Sequence, residues 1–264
     1  MTVSKLTPTV SAWPTASGIT YGQTLASSTL SGGSASVGGS FVFSNPSIVP
    51  SAGTSSQSVT FQPTNSNVYS SVTGSVSVTV AKATPTVSAW PSASSITYGQ
   101  TLASSTLSGG SASVSGSFVF SSPGTAPSAG TSSQSVTFKP SDSNDYNSVT
   151  GSVSVTVAKA TPTISAWPTA SSITYGQTLA SSTLSGGAAS TSGSFAFANP
   201  STAPDSGSPS EAVVFTPSDT SDYDSVSGSV SVTVAKATLT VKPTMQAVHT
   251  GRLILHLAQP TAVS

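Results

Sequence analysis

The stretch GSVSVTVA at residues 74–81 decides the fold of this chain. Val76, Val78 and Val80 alternate with Ser and Thr, and a period of two places one set of side chains on a single face of a strand. The same eight letters recur at 151–158 and 228–235. A strand of the same sequence, with one face toward a core, thus ends each of three segments. This predicts three small β domains in tandem.

The rest of the sequence has the same 77-residue period. The string ITYGQTLASSTLSGG occurs in every period and begins at Ile19, Ile96 and Ile173. The period predicts domains at 5–81, 82–158 and 159–235, followed by the start of a fourth unit at 236–264.

Short alternating segments within each copy are separated by turn-forming residues such as Gly32-Gly33 and Asn45-Pro46. Several short strands at this spacing favour an all-β sandwich. The fold prediction is three Ig-like β-sandwich modules in a linear string, with an irregular C-terminal tail. A β-grasp-like module is the alternative, because seven strands are not cleanly countable. The piece QTLASSTL is either a short helical turn or a kinked strand.

The predicted core of a copy combines aromatic and branched aliphatic side chains. In the first copy these are Val10, Trp13, Ile19, Tyr21, Leu25, Leu30, Phe41, Phe43, Val59, Phe61, Tyr69, Val76, Val78 and Val80. The connections between copies are short, and Pro85 and Pro162 stiffen them. We therefore expect a semi-rigid string.

Composition excludes several classes of function. Charged residues make up 5% of the chain, with 7 Lys+Arg against 7 Asp+Glu, so no nucleic-acid face is expected. The chain has no cysteine and 2 histidines, which leaves Ser-His and Cys-His catalysis without a credible base. We expect no enzyme activity and no cofactor. No stretch is long enough to cross a membrane.

Residues 242–264 break the repeat pattern and contain both histidines, His249 and His256. Read one nucleotide out of frame, the back-translated tail can give a Tyr-Gly-Ala-Ala-Asn-Pro-Thr segment, which resembles the opening of another repeat. We interpret this as a frameshift just after Val241, which makes the tail non-native text. Residues 1–20 lack a signal peptide, so we expect a segment of a longer protein.

The TYGQTL motif, the SGSFVF strand, the DYNSVTGSVSVTV ending and the AKATPT junction resemble bacterial Ig-like repeats of large surface proteins. They are also similar to MBG-type adhesin repeats, which are marked by a Tyr-Gly pair. The resemblance covers residues 5–235. It implies extracellular β domains that serve as stalks, spacers or adhesive modules, and it implies no catalytic residue.

Acidic residues cluster in two equivalent loops, SDSNDYN and SDTSDYDS. Loops rich in carboxylates can hold calcium, whereas Asp and Asn also form turns with no metal. The first copy has no acid in this loop, so calcium is not needed for the fold. The weak calcium candidates are Asp142, Asp145, Asp219, Asp222 and Asp224.

Trp13, Trp90 and Trp167 are each followed by Pro, and each lies at the end of the first strand of its copy. Packing in the core or at a domain junction is the favoured role, and a stacking platform for a sugar is the alternative.

The leading functional hypothesis is a structural spacer, because three near-identical copies add length to a protein without adding distinct binding sites. The alternatives are an adhesive module for a glycan or a surface protein of a host or neighbouring cell, and accessory repeats of a secreted hydrolase. We expect an extracellular or cell-surface location and a monomer within a longer chain.

Overall fold

The computed structural model describes residues 4–242. The chain forms two compact units, Met1–Lys159 and Ala160–Ser264. The first unit contains the first two copies of the repeat and the second contains the third copy. The predicted frameshifted tail and both histidines lie outside the described residues.

The first copy has eight short strands and one 3-10 turn at Leu25–Ser27. Its strands are β1 (Val10–Ala12), β2 (Thr15–Ala16), β3 (Ile19–Thr20), β4 (Leu30–Ser31), β5 (Ser34–Ala35), β6 (Gly39–Phe43), β7 (Gly53–Pro63) and β8 (Val72–Ala81).

The second copy repeats this order around a 3-10 turn at Leu102–Ser104. Its strands are β9 (Val87–Ala89), β10 (Ser92–Ala93), β11 (Ile96–Thr97), β12 (Leu107–Ser108), β13 (Ser111–Ala112), β14 (Gly116–Phe120), β15 (Gly130–Pro140) and β16 (Val149–Ala158). The third copy has a 3-10 turn at Leu179–Ser181 and the strands β17 (Ile164–Ala166), β18 (Thr169–Ala170), β19 (Ile173–Thr174), β20 (Leu184–Ser185), β21 (Ala188–Ala189), β22 (Gly193–Phe197), β23 (Ser210–Pro217), β24 (Val226–Ser231) and β25 (Val234–Ala235).

The main sheet of the first copy has the order β3-β8-β7-β6. β6, β7 and β8 pair antiparallel, whereas β3 pairs parallel with the end of β8, with Ile19 opposite Val80. The alternation in β8 buries Val76, Val78 and Val80 and leaves the Ser and Thr between them exposed. The alternation that identified this strand therefore predicts its buried face correctly.

A second, smaller layer covers this buried face. It consists of the antiparallel pairs β1-β5 and β2-β4. Ala16 and Leu30 from this layer pack against the buried valines and Leu25. Trp13 meets Phe41 edge-on, with ring centroids 5.7 Å apart, and its indole lies against the backbone of Gly74 in β8. Each copy is thus a two-layered, Ig-like β-sandwich with one small core.

The predicted all-β fold is confirmed. The described residues contain no α-helix, and the undecided piece QTLASSTL contains a 3-10 turn whose first residue, Leu25, is buried. A β-grasp module places a helix across its sheet, so the described residues do not support that alternative. Of the predicted core, Val10, Trp13, Tyr21, Leu30, Phe41 and Tyr69 are half-buried and the other members are buried.

The strand pattern of the third copy departs from that of the other two at its last strands. Its last strand is divided into β24 and β25, and β23 starts only at Ser210. Pro209 stands where the first copy has Ser55, a residue of the continuous β7 ladder. Proline has no N–H to donate, so the ladder is interrupted there. One bond, from the Val232 N–H to the Pro209 carbonyl, is retained at 2.9 Å.

We expect Gly151→Ala to destabilise the second copy by about 1–3 kcal/mol, the usual cost of overpacking. A Cβ at this position would overlap the indole of Trp90, which lies against the Gly151 backbone. Gly124→Ala is the matched control, since nothing lies within 4 Å of its Cβ position. Calorimetric unfolding of both variants measures the difference; equal transition temperatures would contradict this packing.

Candidate functional site: the joint between the first and second copies

The TYGQ motif forms a tight turn that presents a tyrosine at one end of the sandwich. The Gln23 N–H donates to the Thr20 carbonyl at 3.0 Å, and the Thr20 N–H donates to Gln23 Oε1 at 2.7 Å. Gly22 has φ +92°, as the third residue of a type II turn requires. The Tyr21 N–H donates to the carbonyl of Ala81, the last residue of β8, at 2.9 Å. Tyr21 is therefore held where the chain leaves the first copy.

The linker into the second copy is hydrogen-bonded to a loop of that copy. The Ala83 N–H donates to the Asp145 carbonyl at 3.0 Å, and the Asn147 N–H donates to the Ala83 carbonyl at 2.8 Å. Lys82 Nζ donates to the Ser143 carbonyl at 2.7 Å. These bonds attach the linker to the second copy at the first two residues that follow β8, which leaves little free chain between the modules.

The same loop makes direct contacts with the first copy. Asp145 Oδ1 accepts a hydrogen bond from the Ala52 N–H at 2.6 Å. The ring of Tyr146 meets the ring of Tyr21 edge-on, with centroids 5.3 Å apart and an interplanar angle of 84°. We call Tyr21 and Ala52 the socket, and Asp145 and Tyr146 the plug. A buried carboxylate that accepts a backbone N–H is among the stronger polar contacts in proteins.

Electrostatics link Tyr21 to the plug. The negative charge of Asp145 is the main cause that raises the pKa of Tyr21 above its ordinary value of 10.0. Burial, the neighbouring Tyr146, the charge of Asp142 and a side-chain hydrogen bond to Asp145 raise that pKa further. The neutral phenol is the form that suits this joint, because an ionised Tyr21 would face a carboxylate.

The calcium candidates have protein partners in this structure. Asp142 and Asp219 each accept two backbone N–H groups of their own loop, in the geometry of a turn-forming Asp. Asp145 and Asp222 are 6% and 7% exposed, and the backbone N–H of Asp224 donates to the Ala160 carbonyl. Among residues 4–242 no three His, Cys, Asp or Glu side chains form a group that could hold a metal ion. Calcium binding at these loops stays an untested prediction.

The three tryptophans occupy equivalent positions inside their copies. Trp90 and Trp167 meet Phe118 and Phe195 edge-on at 5.7 Å and 5.8 Å, as Trp13 meets Phe41. All three are half-buried. Their packing contacts supply the role that the sequence favoured, and the sugar platform stays an untested prediction.

Sequence reasoning missed the socket entirely. It placed Tyr21 in the core, against which the ring does pack, and treated Asp145 as a turn residue or a weak calcium candidate. The structure in addition brings the two side chains together across the joint. One difference between the copies could have pointed to the socket. The first copy has Val68 where the second and third copies have Asp145 and Asp222. A position that changes while its surroundings repeat points to a role outside the module itself.

No family model matches this chain, and no curated protein matches it. Solved structures that resemble it include the titin fragment I67–I69, with 10% identity, a TM-score of 0.38, and coverage of 86% of this chain and 98% of that one. Sidekick-1 immunoglobulin domains 1–5 match at 11% identity and a TM-score of 0.32, over 89% of this chain and 60% of that one. Drosophila N-cadherin EC1–4 matches at 11% identity and a TM-score of 0.30, over 88% of this chain and 75% of that one. These similarities concern tandem β domains and carry no inference about function.

We expect Asp145→Val, which installs the residue of the first copy, to open the joint without unfolding either module. Loss of a charged acceptor for the Ala52 N–H costs about 1–3 kcal/mol, equivalent to roughly ten- to hundredfold faster amide exchange at Ala52. Hydrogen exchange followed by NMR measures this change. The amide of Ser44, bonded to the Ser58 carbonyl within the first copy, is the internal control; acceleration at both amides would indicate unfolding of the module instead.

Alkaline pH should weaken the joint. A group whose pKa is raised by folding stabilises the folded form at pH values below its ordinary pKa, and that contribution is lost as pH rises through the raised value. For Tyr21 the loss therefore begins above its ordinary pKa of 10.0. Ultraviolet titration of tyrosinate, compared with a Tyr21→Phe variant, isolates this group. In Asp145→Asn the pKa of Tyr21 should fall toward its ordinary value; an unchanged pKa would remove Asp145 as the cause.

Proposed function

We propose that this chain is a non-catalytic spacer segment of a bacterial cell-surface or secreted protein. Its repeats hold another part of that protein, or its ligand, at a set distance. The observation that carries the proposal is the joint itself. The linker of the second copy is hydrogen-bonded along its length, and the Asp145 carboxylate is buried against the Ala52 N–H of the first copy.

A spacer requires resistance to bending at each joint, and a joint with two separate points of attachment supplies it. One attachment is the linker strand, and the other is the plug in its socket. Short linkers without such contacts act as flexible tethers, whose mean reach grows only as the square root of their length. The balanced charge of the chain, with 7 Lys+Arg and 7 Asp+Glu, also suits a segment that avoids nonspecific binding.

Spin labels on the first two copies test the spacer directly. The chain has no cysteine, so Ser40→Cys and Ser117→Cys give two unique attachment points on exposed positions of β6 and β14. Dipolar electron–electron spectroscopy should give one narrow distribution of distances between the two spin labels. The same pair of labels in the Asp145→Val variant should give a broader distance distribution. A broad distribution in the unaltered protein would overturn the proposal of a rigid spacer.

An adhesive module is the second candidate, and one surface feature favours it. Lys82, Lys139, Tyr146 and Asn147 line an open cavity of about 500 Å³ in the second copy. The first copy has a cavity of about 510 Å³ at the equivalent place, lined by Lys5, Gln62 and Tyr69 among others. Cationic, aromatic and amide groups together suit an acidic glycan.

Binding of acidic glycans on an array tests this second candidate. Lys139→Gln gives the second cavity the residue that the first copy has at this position, Gln62. It should reduce glycan binding severalfold if the second cavity is the binding site. Lys242→Gln lies outside both cavities and serves as the charge-matched control. Equal binding by the two variants would exclude this cavity as a glycan site.

The described residues include no helix that is long and apolar enough to span a membrane. We also propose an extracellular location, which the repeat resemblance supports. The hydrolase-accessory alternative differs only in which domain the spacer carries.

A further inference from the structure

The third copy contains a second socket with the geometry of the first. The Tyr175 N–H donates to the Ala235 carbonyl at 2.8 Å, and the Thr174 N–H donates to Gln177 Oε1 at 2.7 Å. Gly176 has φ +89°, against +92° for Gly22. The same turn therefore presents Tyr175 at the point where the chain leaves the third copy.

The backbone half of this socket is also present. Ser206 stands at the position of Ala52, between a buried proline and a glycine in the left-handed region. That glycine, Gly207, has φ +124°, against +120° for Gly53. Gly207 also pairs with Val234, as Gly53 pairs with Val80. The segment that offers the amide to a plug thus follows the same path in both copies.

The two sockets differ in what covers the tyrosine. Tyr21 is half-buried beneath Tyr146, whereas Tyr175 is 54% exposed. An exposed aromatic ring on an ordered turn, in the place where an equivalent ring receives a neighbouring module, is an interaction surface that residues 4–242 leave open.

The first joint indicates the chemistry of that partner. The Ala52 N–H needs an acceptor from the plug, and Asp145 supplies it with a charge. The equivalent position of the first copy is Val68, which is 43% exposed beside Leu6 at 62%. A second copy of this chain that docked through its first module would bring no acceptor, so end-to-end association of two chains is disfavoured.

We propose that the surface around Tyr175 and Ser206 is the docking site for a further repeat of this type whose plug carries the Asp-Tyr pair. The proposal rests on the proposed spacer function and adds the identity of the next partner. It also gives the repeats a direction: the socket of the first copy accepts the Asp-Tyr plug of the module that follows it, and the surface at Tyr175 and Ser206 accepts one from a module placed after the third copy.

One residue makes the third socket weaker than the first. Asp205 precedes Ser206, where the first copy has Ser51 before Ala52. A carboxylate here repels the carboxylate of an incoming plug, and salt screens that repulsion. Asp205→Ser should therefore strengthen docking about two- to fivefold at low ionic strength, the range expected for one exposed charge, with a smaller gain at high salt.

The experiment inserts residues 82–158 between Ala235 and Lys236 of the full chain, so that a complete second-copy sequence follows the third socket in register. Amide exchange at Ser206 is compared with that of the unaltered chain. We expect exchange at Ser206 to slow about tenfold or more. Asp205→Ser in the extended chain should slow exchange further.

The inserted copy with Asp145→Val is the matched control and should leave exchange at Ser206 at the rate of the unaltered chain. An unchanged rate with the Asp-bearing copy would overturn the proposal, as would equal effects of the Asp and Val copies. The spin-label distances across the first joint report separately on the spacer. A narrow distribution there with no docking at Tyr175 would leave the spacer intact and refute this socket alone.

Discussion

Backbone pairing at the end of the last strand is the interaction on which each module depends. In the first copy Val80 pairs with Gly53 on one side and with Ile19 on the other. The adjoining Ala81 carbonyl receives the N–H of Tyr21. One strand end therefore closes the core, anchors the TYGQ turn and starts the linker. Because these three functions share a few residues, the position of the socket relative to the exit of the chain is determined by the fold of the module itself.

The joint combines one aromatic contact, between Tyr21 and Tyr146, with a few polar contacts. Burial of Asp145 carries a desolvation cost, which the Ala52 N–H and the Tyr21 hydroxyl offset. A polar contact surface is tolerated in water when a module has no neighbour, whereas an apolar one would promote nonspecific association. The design suits a chain with 5% charged residues, which has little charge repulsion to keep its copies apart.

Much of the fold could be predicted from the sequence, because the patterns that determine it lie within short segments of each copy. Alternation in β8 identified the buried valines, and the 77-residue period identified the copies. The socket was not predictable in this way. Asp145 and Ala52 are 93 residues apart and belong to different copies, so no pattern within one module relates them. The position of Pro209 could be read from the sequence, but which ladder bond it removes depends on a register known only from the structure.

The parallel pairing of β3 with β8 has a mechanical consequence. When the two ends of a module are pulled apart, β3 is drawn toward its own N-terminus and β8 toward its own C-terminus. Since the strands run in the same direction, they slide past each other and their hydrogen bonds are loaded together, in shear. Antiparallel strands pulled from adjacent ends would instead break their hydrogen bonds one after another, each under the full load. The Ile19–Val80 pairing and the bond from Tyr21 to Ala81 are thus loaded in shear at the point where tension leaves the module.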